Sequence, residues 1–512
     1  MAVSQQAGNI FRTEHLQADL KVRSVRGALL TLTSQGAQFV IQSVATVVLA
    51  HLLTPADYGL VGMVTAITGL GQAFADLGLS EATIQHPEIN HDQVSKLFWV
   101  NVAIGVGLTA ITAALGPILA SFYHQPRLRA ITYVVSLVFV IGGLRVQHDA
   151  LLQRNMRFTA LAIRDVVSLA VAVPTAIFLA WRGAGYWAIV ALPLTVNTIQ
   201  MTLSWVMARW VPGLPRGFTD VRSLIHFGGN VAASYLTINF SRSADSILIG
   251  RYWGAGPLGL YSRAMNLLLL PVRQLGAPAR RVAVPALSRV QDDPDRLARV
   301  YLGMANLITW ITGPIFGFLF VAATPVIVLT LGYKWHAAGP VFQILAIFAL
   351  GQLLYQSAIW LLISRGQSQR LLHMTLILCP VTVLSYVVGL PFGIKGVACS
   401  GALVMLVTFP FMLSFSFRGT GLTLYQLGRK VRYPVITTLA GVATGELAFR
   451  VAPHLRDFLQ ILVIGAAFAT GCAIALLLRP IREEVKELGD LLRIAGVIPA
   501  VAIAEGFDER PI

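Results

Sequence analysis

The chain has 512 residues, of which 56% are hydrophobic and only 12% charged, and its mean hydropathy is +0.70. Soluble domains carry about 25% charged residues, so this composition excludes an ordinary soluble protein and predicts that most of the chain lies in lipid. A net charge of +16 would suggest nucleic acid in a soluble protein. In a membrane protein it indicates basic cytoplasmic loops instead, so we expect no nucleic-acid partner.

The chain begins with a polar and basic segment, residues 1–26, that contains no apolar core. A cleavable signal peptide needs such a core. We therefore expect the first apolar run to act as its own insertion signal.

Apolar runs of about 20 residues, the length that crosses a bilayer as a helix, follow along the chain. They lack strict alternation and so favour helices over a β-barrel. The predicted fold class is all-α, a polytopic membrane helix bundle of about 14 transmembrane helices, with two pseudo-symmetric six-helix lobes and two C-terminal helices. The predicted spans are 28–50, 59–81, 97–120, 131–148, 160–181, 185–208, 227–250, 258–279, 301–331, 339–363, 371–391, 397–417, 434–450 and 458–478.

These spans divide the chain into regions. The regions are a cytoplasmic N-terminal segment (1–27), an N-terminal six-helix lobe (28–208), a cytoplasmic inter-lobe loop (209–226), a C-terminal six-helix lobe (227–417), helices 13 and 14 (434–478) and a cytoplasmic amphipathic tail (479–512). The tail is assigned to the membrane surface because its charges alternate with apolar residues.

Basic residues are distributed unevenly between alternate loops. We assign 27 Lys and Arg to the two termini and every second loop, and eight to the opposite loops. The positive-inside rule then places both termini in the cytoplasm of a multi-pass bacterial inner-membrane protein. Four basic residues are left inside spans, namely Arg164, Arg242, Arg263 and Arg273.

A short motif near the second span recurs near the eighth, at an offset of 200 residues. Leu53–Leu60 has the sequence LTPADYGL and Trp253–Leu260 has WGAGPLGL, and a second echo pairs Gly183 with Gly393 at an offset of 210. The two echoes predict duplicated six-span halves. Parallel repeats of this kind occur in transporters whose halves move around a central site.

Polar side chains recur at helical spacing on the first two spans of each half. Helical spacing gathers such residues on one side, and lipid does not accept them, so they either join helices or line a watery cavity. The substrate-binding candidates are Arg242, Arg273, Arg263, Asn266, Asn239, Gln42 and Gln38, and the ion-coupling candidates are Asp245 and Asp76.

The depth of each arginine separates these two alternatives. Arg242 lies about eight residues from the outer end of its span, about 12 Å deep at 1.5 Å per residue, and is the strongest cavity candidate. Arg263 and Arg273 are intermediate. Arg164 lies about four residues from the cytoplasmic end, where it can extend to the interface, and is expected to be structural.

No motif predicts an enzyme, a metal site or a bound cofactor. The three cysteines lie in apolar stretches without a CxxC spacing. The string Gly105–Ala110 resembles a dinucleotide-binding fingerprint, but it lies inside a span and is explained by close helix packing. We therefore expect no catalytic residues.

One stretch resembles a known family. Leu236–Pro271, with the sequence LTINFSRSADSILIGRYWGAGPLGLYSRAMNLLLLP, resembles the seventh and eighth helices of bacterial polysaccharide flippases of the multidrug/oligosaccharidyl-lipid/polysaccharide exporter superfamily. Leu53–Leu60 and Leu152–Phe158 (LQRNMRF) are similar to that family as well. The positions that match its motif are Arg242, Asp245, Gly250, Gly259, Tyr261, Arg263 and Asn266.

The resemblance implies export of undecaprenyl-diphosphate-linked oligosaccharide repeat units for exopolysaccharide, capsule or O-antigen (lipopolysaccharide) synthesis. It implies alternating access around a cationic central cavity. It implies no cofactor, and it leaves open whether transport is coupled to a proton or sodium gradient. The implied partners are the lipid-linked oligosaccharide, membrane lipids, and polysaccharide polymerase and chain-length machinery.

The sequence leaves two other classes of function open, another transporter of the same superfamily and a membrane enzyme. A lipid II flippase of the same superfamily shares the cationic cavity, whereas ion-coupled drug exporters usually bind cations, which an arginine-rich interior disfavours. A membrane polysaccharide polymerase or ligase needs a catalytic site on a large outer loop, and the predicted outer loops have about ten residues or fewer.

Overall fold

The computed structural model of the chain describes residues 20–71, 79–85, 89–214, 243–451 and 456–486. All longer regular elements in these ranges are helices and none is a strand, which confirms the predicted all-α class. The helices are α1 (Leu20–Leu52), α2 (Pro55–Gly71), α3 (Leu79–Gln85), α4 (His91–Phe122), α5 (Leu128–Arg154), α6 (Phe158–Trp181), α7 (Tyr186–Ala208), α8 (243–253), α9 (Ala255–Arg289), α10 (Pro294–Val321), α11 (Ala323–Leu331), α12 (Gly339–Ser364), α13 (Ser368–Gly389), α14 (Gly393–Phe417), α15 (Leu424–Val451), α16 (Asp457–Leu476) and α17 (479–486).

Eight helical stretches of the described chain are long and apolar enough to cross a membrane by length and composition. The chain is a multi-pass membrane protein, while the number of fourteen spans stays a prediction. One predicted span differs from the structure, because 301–331 contains two helices, α10 and α11, separated at Ala322. Pro325 explains the break, since a proline ring clashes with the carbonyl four residues earlier, here that of Val321, where α10 ends.

Side-chain caps fix several helix starts. The Asn90 carboxamide oxygen accepts from the Gln93 N–H at 2.8 Å, and Gln93 accepts in return from the Asn90 N–H at 3.1 Å. Thr423 and Gln426 form the same reciprocal pair before α15. Because the first N–H groups of a helix have no intrahelical partner, these boxes set where the helices begin.

The chain divides into two compact units, residues 1–259 and 260–512. The boundary between them falls inside α9. In the first unit α4 packs on α5 through two glycines. A Cβ on Gly105 would lie 2.6 Å from the Phe139 carbonyl oxygen, and one on Gly143 would lie 2.6 Å from that of Asn101. The helices therefore touch backbone to backbone, as the expectation of close packing at Gly105 requires.

In the second unit, a cluster of buried apolar side chains from α10, α12, α13 and α14 forms the core. Tyr301 is fully buried there, and its hydroxyl lies 2.9 Å from the Ser357 hydroxyl. The helix α17 also packs into this unit through Ile481 and Glu484. The Asn306 amide donates to the Glu484 carboxylate at 2.6 Å, so the start of the predicted surface tail is held by a buried polar contact.

The first residues of the predicted inter-lobe loop are hydrogen-bonded to helix α4 of the first unit. The Trp99 indole donates to the Gly213 carbonyl at 2.8 Å, and the Gly213 N–H donates to the Ser95 hydroxyl at 2.9 Å. The Trp210 indole donates to the His91 ring at 3.1 Å. Residues 209–214 are thus tied to the start of α4, and the loop from 215 onward lies outside the described residues.

Candidate functional site

A cationic pocket lies on one face of α9 in the second unit, where α9 faces α12. It encloses about 650 Å³, within the range of about 300–1,000 Å³ typical of small-molecule sites. Its lining residues are Val272, Arg273, Gly276, Ala277, Arg280, Arg281, Val284, Pro285 and Gln356. Three guanidinium groups and no carboxylate line this described pocket, so it favours an anion.

The sequence of α9 explains how the arginines reach one face. Arg273 and Arg280 are seven residues apart, which is close to two helical turns. Pro271 and Pro278 precede them by two residues each, about 200° around the helix. These two prolines therefore project from the side of α9 opposite the two arginines.

Helix length and a glycine set the position of the pocket. The 35 residues of α9 extend over about 50 Å at 1.5 Å per residue, more than the roughly 30 Å of a bilayer core. At Gly276 a Cβ would lie 3.2 Å from a Leu353 methyl and 3.4 Å from the Gln356 Oε1 atom. The glycine therefore lets α12 approach and places the half-buried Gln356 amide beside the arginines.

Of the predicted substrate-binding residues, Arg273 lines this pocket and is exposed. Arg263 is half-buried and Asn266 exposed on the preceding turns of α9, and neither lines the pocket. Gln38 is half-buried and Gln42 exposed on α1, in the first unit. Arg280, Arg281 and Gln356 were not predicted, although the seven-residue spacing from Arg273 to Arg280 was visible in the sequence.

Three candidates, Arg242, Asn239 and Asp76, lie outside the described residues. Asp245 is described and is buried, 6% exposed, with its carboxylate accepting from the Ser246 N–H at 2.6 Å. No group of three His, Cys, Asp or Glu side chains that could hold a metal ion occurs in the described ranges.

A second polar cluster, the charge ring, lies in the first unit. Its members are Arg145 and Asp149 of α5, Arg164 and Asp165 of α6, and Gln200 of α7.

The contacts between the residues of the charge ring form a closed circuit. Arg145 is paired with Asp149 at 3.1 Å and donates to the Gln200 carboxamide oxygen. Gln200 donates to Asp165 at 3.1 Å. Arg164 donates to Asp165 at 2.7 Å and to Asp149. The ring has no net charge and joins three helices.

The charge ring corrects two expectations. Arg145 was counted among the 27 inner-side basic residues although the predicted span 131–148 contains it, and it lies inside α5. Arg164 was expected to extend to the interface, yet it is 8% exposed and points to two carboxylates. Paired charges inside a helix bundle cost less than a lone one, which explains why Arg164 turns inward. Its expected structural role is consistent with this pairing.

The family model described as polysaccharide biosynthesis protein matches residues 48–340. The teichuronic acid biosynthesis protein TuaB of Bacillus subtilis is 25% identical over 344 residues, which cover 67% of this chain and 71% of that protein. The lipopolysaccharide biosynthesis protein WzxC of Escherichia coli is 25% identical over 309 residues, 59% of this chain and 62% of that one. The succinoglycan biosynthesis transport protein ExoT of Rhizobium meliloti is 23% identical over 339 residues, 65% and 67% of the two chains.

Two solved structures share the fold. The lipid II flippase MurJ in an inward closed conformation superposes with a TM-score of 0.69 and 12% identity, covering 88% of this chain and 99% of that chain. A multidrug resistance MATE family transporter of the MOP superfamily, in an inward-facing conformation, gives a TM-score of 0.55 and 13% identity, covering 77% and 95%. The helices of this chain are therefore arranged as in these two solved structures.

Proposed function

The chain belongs to the polysaccharide biosynthesis protein family, and from this premise we propose that it flips undecaprenyl-diphosphate-linked oligosaccharide repeat units across the bacterial inner membrane. The products would supply exopolysaccharide, capsule or O-antigen synthesis. The observation that carries the proposal is the pocket lined by Arg273, Arg280 and Arg281 without a carboxylate. A planar guanidinium binds phosphate through two parallel hydrogen bonds, so this pocket suits a diphosphate.

The size of the pocket favours a headgroup rather than a whole repeat unit. About 650 Å³ holds a diphosphate with its first sugar, whereas a longer oligosaccharide must extend beyond it. Gln356 can donate to or accept from a sugar hydroxyl, because its amide has both kinds of group. The arginines would hold the charged group shared by all such lipids, and the sugar would be recognised elsewhere.

The proposed mechanism is alternating access around this cationic site. With both termini in the cytoplasm, Arg280 and Arg281 lie toward the inner end of α9, where a lipid-linked substrate made in the cytoplasm arrives. The arginines neutralise the diphosphate, which otherwise resists transfer through hydrocarbon. No bond in the substrate is made or broken, so the chain acts as a transporter rather than an enzyme and uses no cofactor.

Coupling to a proton or sodium gradient is a further part of the proposal. Asp245 is buried, 6% exposed, and Asp76 is the second candidate from the sequence. Export that keeps its dependence on the gradient in an Asp245→Asn variant would remove Asp245 from this role. Polysaccharide polymerase and chain-length machinery are proposed to receive the product on the outer side.

The alternative substrate is lipid II. The structural neighbour MurJ is named as a lipid II flippase. Lipid II shares the undecaprenyl diphosphate and differs in its sugar-peptide headgroup. An ion-coupled exporter of cationic drugs fits less well, because every charged side chain that lines the described pocket is an arginine. The names of the relatives, which refer to teichuronic acid, lipopolysaccharide and succinoglycan, favour a polysaccharide precursor.

Transport in proteoliposomes tests the proposal. The purified chain is reconstituted with undecaprenyl-diphosphate-oligosaccharide, with lipid II or with a neutral glycolipid, and exposure of each headgroup to an added glycosidase or lectin is timed. We expect fast exposure of the diphosphate-linked oligosaccharide and none of the neutral glycolipid. Faster movement of lipid II would select the alternative, and equal movement of the neutral glycolipid would overturn the role of the diphosphate.

A further inference from the structure

Three arginines come together in the second unit, where the loop after α12 meets the loop after α14. The Arg365 guanidinium donates to the Arg418 carbonyl at 3.1 Å and to the Gly419 carbonyl at 2.8 Å. Arg370, at the start of α13, donates to the same Arg418 carbonyl at 3.4 Å and to the Gln367 carboxamide oxygen at 3.1 Å. We call Arg365, Arg370 and Arg418 the arginine cluster.

The charge of the arginine cluster is not balanced by the described chain. No Asp or Glu occurs between Asp295 and Glu446, and none of the three side chains forms an ion pair with a described residue. The carbonyl groups that end a helix carry about half a negative charge, against one positive charge on each guanidinium. Burial and the charge of Arg370 lower the pKa of Arg365. An anion bound beside the cluster would relieve this repulsion.

The arginine cluster has donors left for such an anion. Arg370 and Arg418 are exposed. The described hydrogen bonds of Arg370 all come from its Nη1 atom. The Arg418 guanidinium lies 5.4 Å from the centroid of the Phe415 ring and donates to no described residue. Because each guanidinium has five N–H groups, most donors of these two side chains are available.

The arginine cluster lies apart from the cationic pocket, beside the end of α9. The Ser288 hydroxyl donates to the Ser364 carbonyl at 3.1 Å, which brings the last turn of α9 next to the residue before Arg365. Ser288 follows Arg280 by eight residues, about 12 Å along the helix. The predicted topology places this end of α9 in the cytoplasm. We therefore expect the cluster at the cytoplasmic surface of the membrane.

Exposed apolar side chains continue from the arginine cluster along both helices. On α13, Leu372 and Leu376 are exposed. On α14, the exposed Phe411 ring stacks on the Phe415 ring, with 6.5 Å between the centroids, and Phe415 also contacts Arg418. Apolar side chains exposed on membrane helices contact lipid chains. Basic groups at the cytoplasmic end of such helices attract anionic lipids.

We infer that the arginine cluster binds the phosphodiester headgroup of an anionic phospholipid of the cytoplasmic leaflet, with its acyl chains on the exposed apolar surface of α13 and α14. Guanidinium groups bind phosphate oxygens through paired hydrogen bonds. A zwitterionic headgroup brings no net negative charge, and a free anion lacks the chains that contact Leu372 and Phe411. The inference depends on the predicted topology and not on which substrate is transported.

Fluorescence quenching in vesicles tests the inference. In a full chain whose three native cysteines are replaced by alanine, Leu372→Cys carries a bimane label. Phosphatidylglycerol with a nitroxide on its acyl chains, diluted into phosphatidylcholine, should quench this label at about tenfold lower concentration than nitroxide-labelled phosphatidylcholine does. A bimane at Ile474→Cys, which is exposed near the end of α16, is the control position, where the two lipids should differ by less than about twofold.

Two double variants separate the arginine cluster from net charge. Arg370→Gln with Arg418→Gln removes two exposed charges and keeps the Arg365 bonds to the loop after α14, so the preference for phosphatidylglycerol at the Leu372→Cys label should fall at least about fivefold. Arg479→Gln with Arg482→Gln removes two exposed charges from α17 and should change the preference by less than about twofold. Equal losses in both double variants would overturn the inference.

Competitors identify the ligand. Inorganic phosphate should leave the quenching unchanged, and full displacement by it would show a site for free anions and overturn the inference. Undecaprenyl diphosphate that competes as well as phosphatidylglycerol would assign the cluster to the substrate and also overturn it, as would equal quenching by phosphatidylglycerol and phosphatidylcholine in the parent. None of these measurements requires transport, so the expected quenching without movement of the lipid-linked oligosaccharide overturns the proposed function alone.

Discussion

At the scale of single residues, the arginines of the described chain occupy two opposite environments. Arg273 and Arg280 line an open pocket without a carboxylate, whereas Arg145 and Arg164 are held by Asp149 and its neighbours in the charge ring. An arginine whose donors are already used has few left for a ligand. The first pair is therefore suited to bind substrate, and the second pair to hold helices together.

Neutralising the pocket should reduce transport without unfolding the chain. We expect Arg273→Gln and Arg280→Gln each to lower export about tenfold or more, because a charge-assisted hydrogen bond contributes about 1.5–3 kcal/mol. Arg273→Lys should restore part of the activity, since lysine keeps the charge but lacks the planar fork. Export by complemented cells, normalised to the amount of chain in the membrane, measures the effect.

The same helix provides the control for this experiment. Arg289 is the last residue of α9, is exposed and does not line the pocket, so Arg289→Gln should export normally. Equal losses in Arg289→Gln and Arg273→Gln would show that net positive charge, not the pocket, is required.

Breaking the charge ring should reduce stability instead. The Asp149 side chain is 16% exposed and accepts from Arg164, from Ser204 and in an ion pair with Arg145, whereas that of Asp165 is 28% exposed. We expect Asp149→Asn to destabilise the chain by about 2–3 kcal/mol and Asp165→Asn by less, because removing one partner leaves a buried charge uncompensated. Thermal unfolding in detergent measures both.

The double variant Arg145→Gln with Asp149→Asn separates pairing from packing. It should lose less stability than the sum of the two single variants, because neither change leaves its partner charged. Strict additivity would show that the two side chains act independently.

At the scale of elements, glycines decide how closely helices approach. Gly105 of α4 lies against the Phe139 backbone of α5, while a Cβ at Gly107 would have nothing within 4 Å. Both glycines belong to the same apolar string, so the string alone does not distinguish them. Only their positions relative to α5 do, because residues two apart point to different sides of a helix.

This pair makes a sharp test of the packing. Gly105→Ala should destabilise the chain by about 1–3 kcal/mol, the usual cost of overpacking, whereas Gly107→Ala should be neutral or stabilise it by up to about 1 kcal/mol through helix propensity. Melting temperatures of the two purified variants give the comparison. A stable Gly105→Ala variant would contradict the backbone contact.

At the scale of the whole molecule, orientation in the membrane follows from the loops. We predict both termini in the cytoplasm from the 27 and eight basic residues assigned to opposite sets of loops. If Arg145 is counted as a residue of α5 rather than of a loop, the imbalance of basic residues between the two sets of loops stays large. Reporter fusions at Pro126 and His454 should be active in the periplasm, and a fusion after Arg289 should be active in the cytoplasm. A cytoplasmic signal at Pro126 would reverse the assignment.

The family and the fold class of this protein could be predicted from its sequence alone. The resemblance of Leu236–Pro271 to polysaccharide flippases is confirmed by the family match and by the transporter fold. The all-α class is confirmed as well. Both follow from local properties, namely apolar run length and a motif, and neither needs knowledge of which helices are neighbours.

What the sequence determined by itself is therefore the helical membrane class and the family. Only the tertiary structure decided that Arg280 and Gln356 join Arg273 in one pocket, that Arg164 pairs with Asp149, and that Gly105 lies against the Phe139 backbone. Each of these contacts joins residues from different helices or depends on what lies beside a helix face. Helical periodicity places a side chain on a face, but the packing of neighbouring helices decides what that face meets.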